Sequence, residues 1–171
     1  MVAVCELNQP TPEAVLGGKP ALVVLLVEPN EPGNLGAILR TADAAGAAAV
    51  LVDGGVDPYN GKTIRASAGS LFHLPVVACS AADFLVAAAT SGMQTLATTG
   101  HADADLDQLL DDGTLARPTV WMFGNEANGL PESVLAAADR QVRIPIFGRA
   151  ESLNLAAAAA VCLYASARAQ R

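Results

Sequence analysis

Strand-length apolar runs alternate with helix-length segments along nearly the whole chain, and this alternation constrains the fold more than any other property. Residues 21–28 form an almost unbroken aliphatic run, without the polar alternation of a strand that faces water on one side. A run of that kind belongs in a strand covered on both faces, as in parallel sheets. The spacing predicts further strands over 49–53, 75–78, 95–98, 120–123 and 142–144. It predicts helices over 35–45, closed by Gly46, and over 81–89, 105–110 and 131–138, the last with Pro131 near its first turn. The longest helix is expected over 152–167, with Ser152 capping its free N–H groups. Such alternation predicts an α/β fold with a mostly parallel sheet flanked by helices. Residues 1–19 are mixed, contain Pro10 and Pro12, carry a weak helix signal at 13–16, and read as a leader or linker remnant before a domain at 20–171.

The chain is long enough for one domain with a sizeable core. Aromatics make up only 4% of it, so that core must be packed mainly by aliphatic groups. No apolar run reaches the roughly 18 residues needed to span a bilayer, and the first residues lack the pattern of a signal peptide. Cys5, Cys79 and Cys162 are odd in number and widely spaced, which predicts reduced thiols in a cytoplasm and no zinc or redox site. His73 and His101 are expected to be bystanders, since neither belongs to a metal cluster or a Ser-His-Asp set. The net charge of -7 argues against a broad nucleic-acid surface. Any RNA contact must be local, and Arg140, Arg143 and Arg149 are the candidates for a basic strip.

Three segments place polar residues beside glycines at predicted strand ends, where open parallel sheets hold ligands. The first contains Asn34, Gly36 and Arg40. The second contains Gly124, Asn125, Glu126, Gly129 and Leu130. The third contains Ile144, Pro145, Ser152, Leu153 and Asn154. The glycines after the first strand do not match a dinucleotide fingerprint, and no phosphate-binding loop surrounds Lys62.

Together the three segments resemble the motifs of the SpoU branch of the SPOUT superfamily, the RNA 2′-O-ribose methyltransferases. A further stretch, from Tyr59 and Asn60 through Arg65, Ser67 and Gly69 to Phe72, is also similar to that family, and the resemblance covers roughly residues 21–168. Two positions depart from its usual pattern: Ile146 stands where Met is usual, and Ala127 where Gly is frequent. The resemblance implies a C-terminal trefoil knot, with glycine turns at Gly124, Gly129 and Gly148 where crossing segments pass close together. It implies S-adenosylmethionine held against Thr98, Gly100, Gly124, Ile144, Ile146 and Leu153. It implies methyl transfer to a ribose 2′-OH, in ribosomal RNA or alternatively in tRNA. It also implies a cytoplasmic homodimer that packs through the last helix, with no membrane or metal partner. A non-catalytic RNA- or ribosome-binding module is the rival from another class.

Within that reading the catalytic candidates are Arg40, Asn34, Glu126, Ser152 and Asn154. Family proposals make Arg40 a general base. An arginine scarcely loses its proton, so gripping a phosphate and stabilising the developing alkoxide is the preferred role. Asn34 and Asn154 are expected to position Arg40 or the ribose, and Ser152 to cap the last helix or face the substrate. Glu126 either pairs with Arg40 or holds a loop N–H. Arg65 and Ser67 are candidates for RNA phosphate contact, while Trp121 is expected to be core packing.

Overall fold

The computed structural model describes residues 9–171; residues 1–8, including Cys5, lie outside the described residues. The strands are β1 (Leu22–Val27), β2 (Val50–Asp53), β3 (Val76–Ala78), β4 (Gln94–Thr98), β5 (Ala104–Asp105), β6 (Thr119–Phe123) and β7 (Arg140–Arg143). They form one seven-stranded sheet in the order β3-β2-β1-β6-β4-β7-β5. Every pairing in it is parallel, as the sequence pattern requires. All six side chains of β1 are buried, three on each face. Leu22, Val24 and Leu26 belong to one core, while Val23, Leu25 and Val27 belong to the other. Each such burial contributes about 1.5–3 kcal/mol, so aliphatic groups alone suffice to hold the layers together.

The helices are α1 (Pro12–Gly17), α2 (Pro32–Ala45), α3 (Gly61–Ala66), α4 (Ala81–Ser91), α5 (Leu106–Asp111), α6 (Glu132–Ala137) and α7 (Leu155–Ala169). Helices α2, α5 and α7 cover the first face, and α1, α4 and α6 the second. Trp121 is fully buried on β6, and its indole N–H donates to the Ser166 hydroxyl of α7 at 2.8 Å. It is a core residue, as expected.

Several boundaries differ from the sequence reading for local reasons. Helix α2 starts at Pro32, because proline suits the first helical position and the Glu31 carboxylate accepts from the Gly33 N–H. Its far end is as expected: Gly46 is left-handed, with φ 81. Helix α7 is capped by Asn154, not Ser152; the Asn154 side chain accepts from the N–H groups of Ala156 and Ala157. The six-residue helix α3, capped by Asn60, and the two-residue strand β5 were too short to show a periodicity. In the 1–19 segment, α1 is capped by Thr11, and its Leu16 is buried in the second core. Gly148 is not required by any close crossing, since a Cβ there would meet nothing within 4 Å.

Candidate active site

From β1 the chain turns into α2 on one face of the sheet, whereas β6, its neighbour, leads to α6 on the other face. The carboxyl ends of β1 and β6 are therefore a topological switch point, where two departing connections leave a crevice. All three polar segments meet there. Asn125 joins the two strand ends, donating from its side-chain amide to the Glu28 carbonyl at 3.0 Å. Its amide oxygen accepts from the N–H groups of Ala127 and Asn128, which shapes the following turn. Gly124 lets this turn close tightly, because a Cβ there would stand 2.1 Å from the carbonyl carbon of Gly129.

At the crevice Glu126 accepts from the Asn34 side chain at 2.9 Å and from the Asn30 N–H at 3.1 Å. Asn154 donates to the Asn34 amide oxygen at 3.0 Å while its own oxygen caps α7. The chain Glu126–Asn34–Asn154 thus ties together residues from the ends of β6, the start of α2 and the start of α7. Partial burial, the largest influence, pushes the Glu126 carboxyl up. Hydrogen bonds from Asn34 and from the N–H groups of Glu126, Asn30 and Glu31 outweigh it and hold the group below its ordinary value, hence ionised. A lowered folded-state value stabilises the fold above the unfolded-state value, and that contribution is lost as pH falls through the folded value. The stability gap between wild type and Glu126→Gln is expected to be widest near neutrality and to close below about pH 4. Urea unfolding at stepped pH measures it; a gap that stays constant into acid would contradict an ionised, hydrogen-bonded Glu126.

Asn154 does two jobs with one amide, and substitution separates them. Asn154→Ala is expected to destabilise by about 1 kcal/mol through loss of the cap. Asn154→Asp keeps the acceptor and loses only the donor to Asn34, so thermal unfolding should show most of that stability restored. Equal loss in both variants would mean that the Asn34 link, not the cap, carries the stability.

Beside this network lies a cleft of about 700 Å³. The Thr98, Gly100, Gly124, Ile144, Ile146 and Leu153 positions expected to hold a cofactor all line it. Glu126, Ser152 and Asn154 line it too, and Asn34 reaches it through its bonds to Glu126 and Asn154. Glu126 and Glu151 are its charged residues; no lysine or arginine contributes to the wall. Sequence reasoning gave no role to Asn125 of the second segment or to Glu151 beside the third, and missed Thr99. It also read His101 as a bystander, yet His101 lines the cleft.

Arg40 is not among these residues. It is exposed, has no ion-pair partner among the described residues, and does not line the cleft of its own chain. At 100° per residue it lies roughly 120° around α2 from Asn34. That turns it toward the stripe of Gly36, whose missing Cβ makes room for Ala66 of α3. Glu126 accordingly holds loop and side-chain amides, not Arg40. Ser67, expected to contact RNA phosphate, is fully buried, and its hydroxyl donates to the Ile64 carbonyl at 2.9 Å. Arg65 is exposed on α3. Lys62 pairs with Glu31. Among the described residues, no cluster of His, Cys, Asp or Glu is placed to hold a metal, and no helix is long and apolar enough to cross a membrane.

Comparison with known proteins supplies independent findings. The SpoU rRNA Methylase family matches residues 21–164. The chain is 37% identical over 166 residues to the 23S rRNA (guanosine(2553)-2'-O)-methyltransferase RlmP of Bacillus subtilis, covering 96% of this chain and 63% of that one. The crystal structure of the SpoU methyltransferase AviRb from Streptomyces viridochromogenes superposes with a TM-score of 0.78 at 38% identity, covering 87% of this chain and 59% of that one. An AdoMet-bound rRNA methyltransferase from Sinorhizobium meliloti gives a TM-score of 0.75 at 37% identity, over 86% of this chain and 56% of that one. The chain therefore spans less than two thirds of the length of each of these three relatives.

Proposed function

The chain belongs to the SpoU rRNA Methylase family, and from that premise we propose that it transfers a methyl group from S-adenosylmethionine to a ribose 2′-hydroxyl of RNA. One observation carries the reading: a cleft at the switch point walled by two carboxylates, aliphatic groups and glycine, without a single lysine or arginine. Such a wall repels phosphate-bearing cofactors and suits a cation with apolar parts. S-adenosylmethionine has that character, and when bound it supplies an electrophilic methyl on a sulfonium. Ile144, Ile146 and Leu153 would take its apolar portions, Gly124 would let the backbone come close, and the ionised Glu126 would complement the positive charge. The volume lies within the range of small-molecule sites.

The other residues do the rest of the work. Asn34 and Asn154 hold Glu126 and the start of α7 in register, so the wall is in place before substrate arrives. The Arg40 guanidinium stabilises the developing alkoxide, while the 2′-OH proton passes to solvent water. Because Arg40 stands outside its own cleft, a second copy of the chain delivers it. The proposed homodimer packs through α7, whose Val161 and Tyr164 are exposed apolar side chains. The trefoil threading of the C-terminal half and a cytoplasmic location belong to the same reading.

Ribosomal RNA is the proposed substrate, in line with the names of the relatives. The test is methylation of a 23S rRNA transcript with labelled S-adenosylmethionine, followed by alkaline hydrolysis, because 2′-O-methylation blocks cleavage at that nucleotide. Incorporation into tRNA alone would move the assignment to tRNA. No incorporation into either RNA, with cofactor binding intact, would leave the binding-module reading.

A further inference from the structure

We infer that Phe147 is a stacking platform for an unpaired nucleobase of the RNA strand that carries the acceptor ribose, and that Arg143 and Arg149 grip the neighbouring phosphates. The inference deepens the methyltransferase reading and rests on it.

Phe147 is 90% exposed, more than any other large apolar side chain among the described residues. A lone exposed phenylalanine needs no explanation by itself; its surroundings are what matter. It follows Ile146 directly, and Ile146 lines the cleft while Phe147 does not. The ring therefore stands on the outer rim of the site, where a strand entering the cleft must pass. Residues 140–149 hold three of the ten basic residues of the chain and no carboxylate, although acids outnumber bases 17 to 10 overall. Arg149 is exposed and has no acidic partner among the described residues. Arg143 is held only loosely, its Nη2 3.5 Å from the Asp105 carboxylate.

The electrostatics require such an arrangement. The cleft wall carries Glu126 and Glu151, which repel phosphate. A ribose can reach it only if its flanking phosphates are neutralised outside it, and Arg143 and Arg149 lie close to wall residues in sequence without lining the cleft themselves. An exposed aromatic among arginines is the pattern by which single-stranded RNA is held: cations follow the backbone and the ring stacks a base without selecting its identity. In a chain of net charge -7, this local patch is where an otherwise repelled strand can land.

The test uses the whole 171-residue chain. Phe147→Ala is expected to raise the KM for a 23S rRNA transcript about 5- to 150-fold, the effect of losing one base stack, while calorimetric affinity for S-adenosylmethionine stays unchanged. Arg149→Gln is expected to weaken RNA binding and flatten its dependence on salt. Phe147→Trp provides a direct signal, since Trp121 is the lone native tryptophan and is fully buried. Adding oligoadenylate should quench the new, exposed fluorophore. An unchanged KM together with no quenching would overturn the inference. So would a change of sedimentation coefficient in Phe147→Ala, which would make the ring a contact between copies. If wild-type protein methylates no RNA, the functional reading fails, while the quenching experiment still decides whether Phe147 stacks bases.

Discussion

Gly124→Ala is expected to destabilise the protein by about 3 kcal/mol and to abolish binding of S-adenosylmethionine. The added methyl would lie 2.1 Å from the Gly129 carbonyl carbon, 2.3 Å from its oxygen and 2.3 Å from the Leu130 nitrogen. All three are backbone atoms of the turn that walls the cleft, so no side chain can swing aside. Relief requires the 124–130 turn to move, and that movement breaks the Asn125 and Glu126 bonds that build the site. For a domain of this size such a loss lowers the melting temperature by about 6–12 °C. Gly148→Ala is the control, since a Cβ there has open space. Differential scanning calorimetry and titration with the cofactor measure both effects. Wild-type stability and affinity in Gly124→Ala would show that the 124–130 turn does not close as tightly as described.

Arg40→Ala is expected to reduce methyl transfer about 10²- to 10³-fold, the range for loss of one preorganised stabilising donor. Folding and cofactor affinity should be untouched, because the side chain is exposed and outside its own cleft. Arg40→Lys keeps the charge and loses the planar fork, so substantial activity in that variant would rule out a bidentate grip. Mixing separates the two possible sources of the guanidinium. A heterodimer of Arg40→Ala with Glu126→Gln contains one cleft with an intact Glu126, and the partner copy brings it an intact Arg40. Glu126→Gln removes the charge that would complement the cofactor and is expected to be impaired on its own, so recovery of activity on mixing is the expected result. No recovery, despite demonstrated subunit exchange, would place Arg40 in the site of its own chain and defeat the dimeric reading.

The wall of the cleft shows how much of a site can be read from a chain. Glycines and polar groups beside aliphatic runs marked the strand ends, and the structure brings Asn34, Glu126 and Asn154 into one hydrogen-bonded chain across as many as 120 residues of sequence. Spacing could not say what each group holds. Ser152 and Asn154 both suit a helix cap, and only the direction in which the chain enters α7 selects Asn154. Ser67 is a plausible phosphate ligand in sequence, but packing of α3 against α2 seals it from solvent. His101 lacks any partner pattern, yet the loop after β4 carries it to the cleft.

The sequence alone determined the layered α/β architecture, because burial on both faces marks the central strand β1 and its neighbours β2 and β6 as apolar runs, and hydrophobic periodicity is a property of neighbours along the chain. Which strands lie side by side, which face of α2 turns toward the cleft, and which segments of chain pass within a few ångströms of Gly124 were decided only by the tertiary structure. The reason is geometric. A helix distributes its residues around its axis, so Asn34 and Arg40, six positions apart in one motif, face in different directions. Their surroundings depend on segments that return from far along the chain to pack against them.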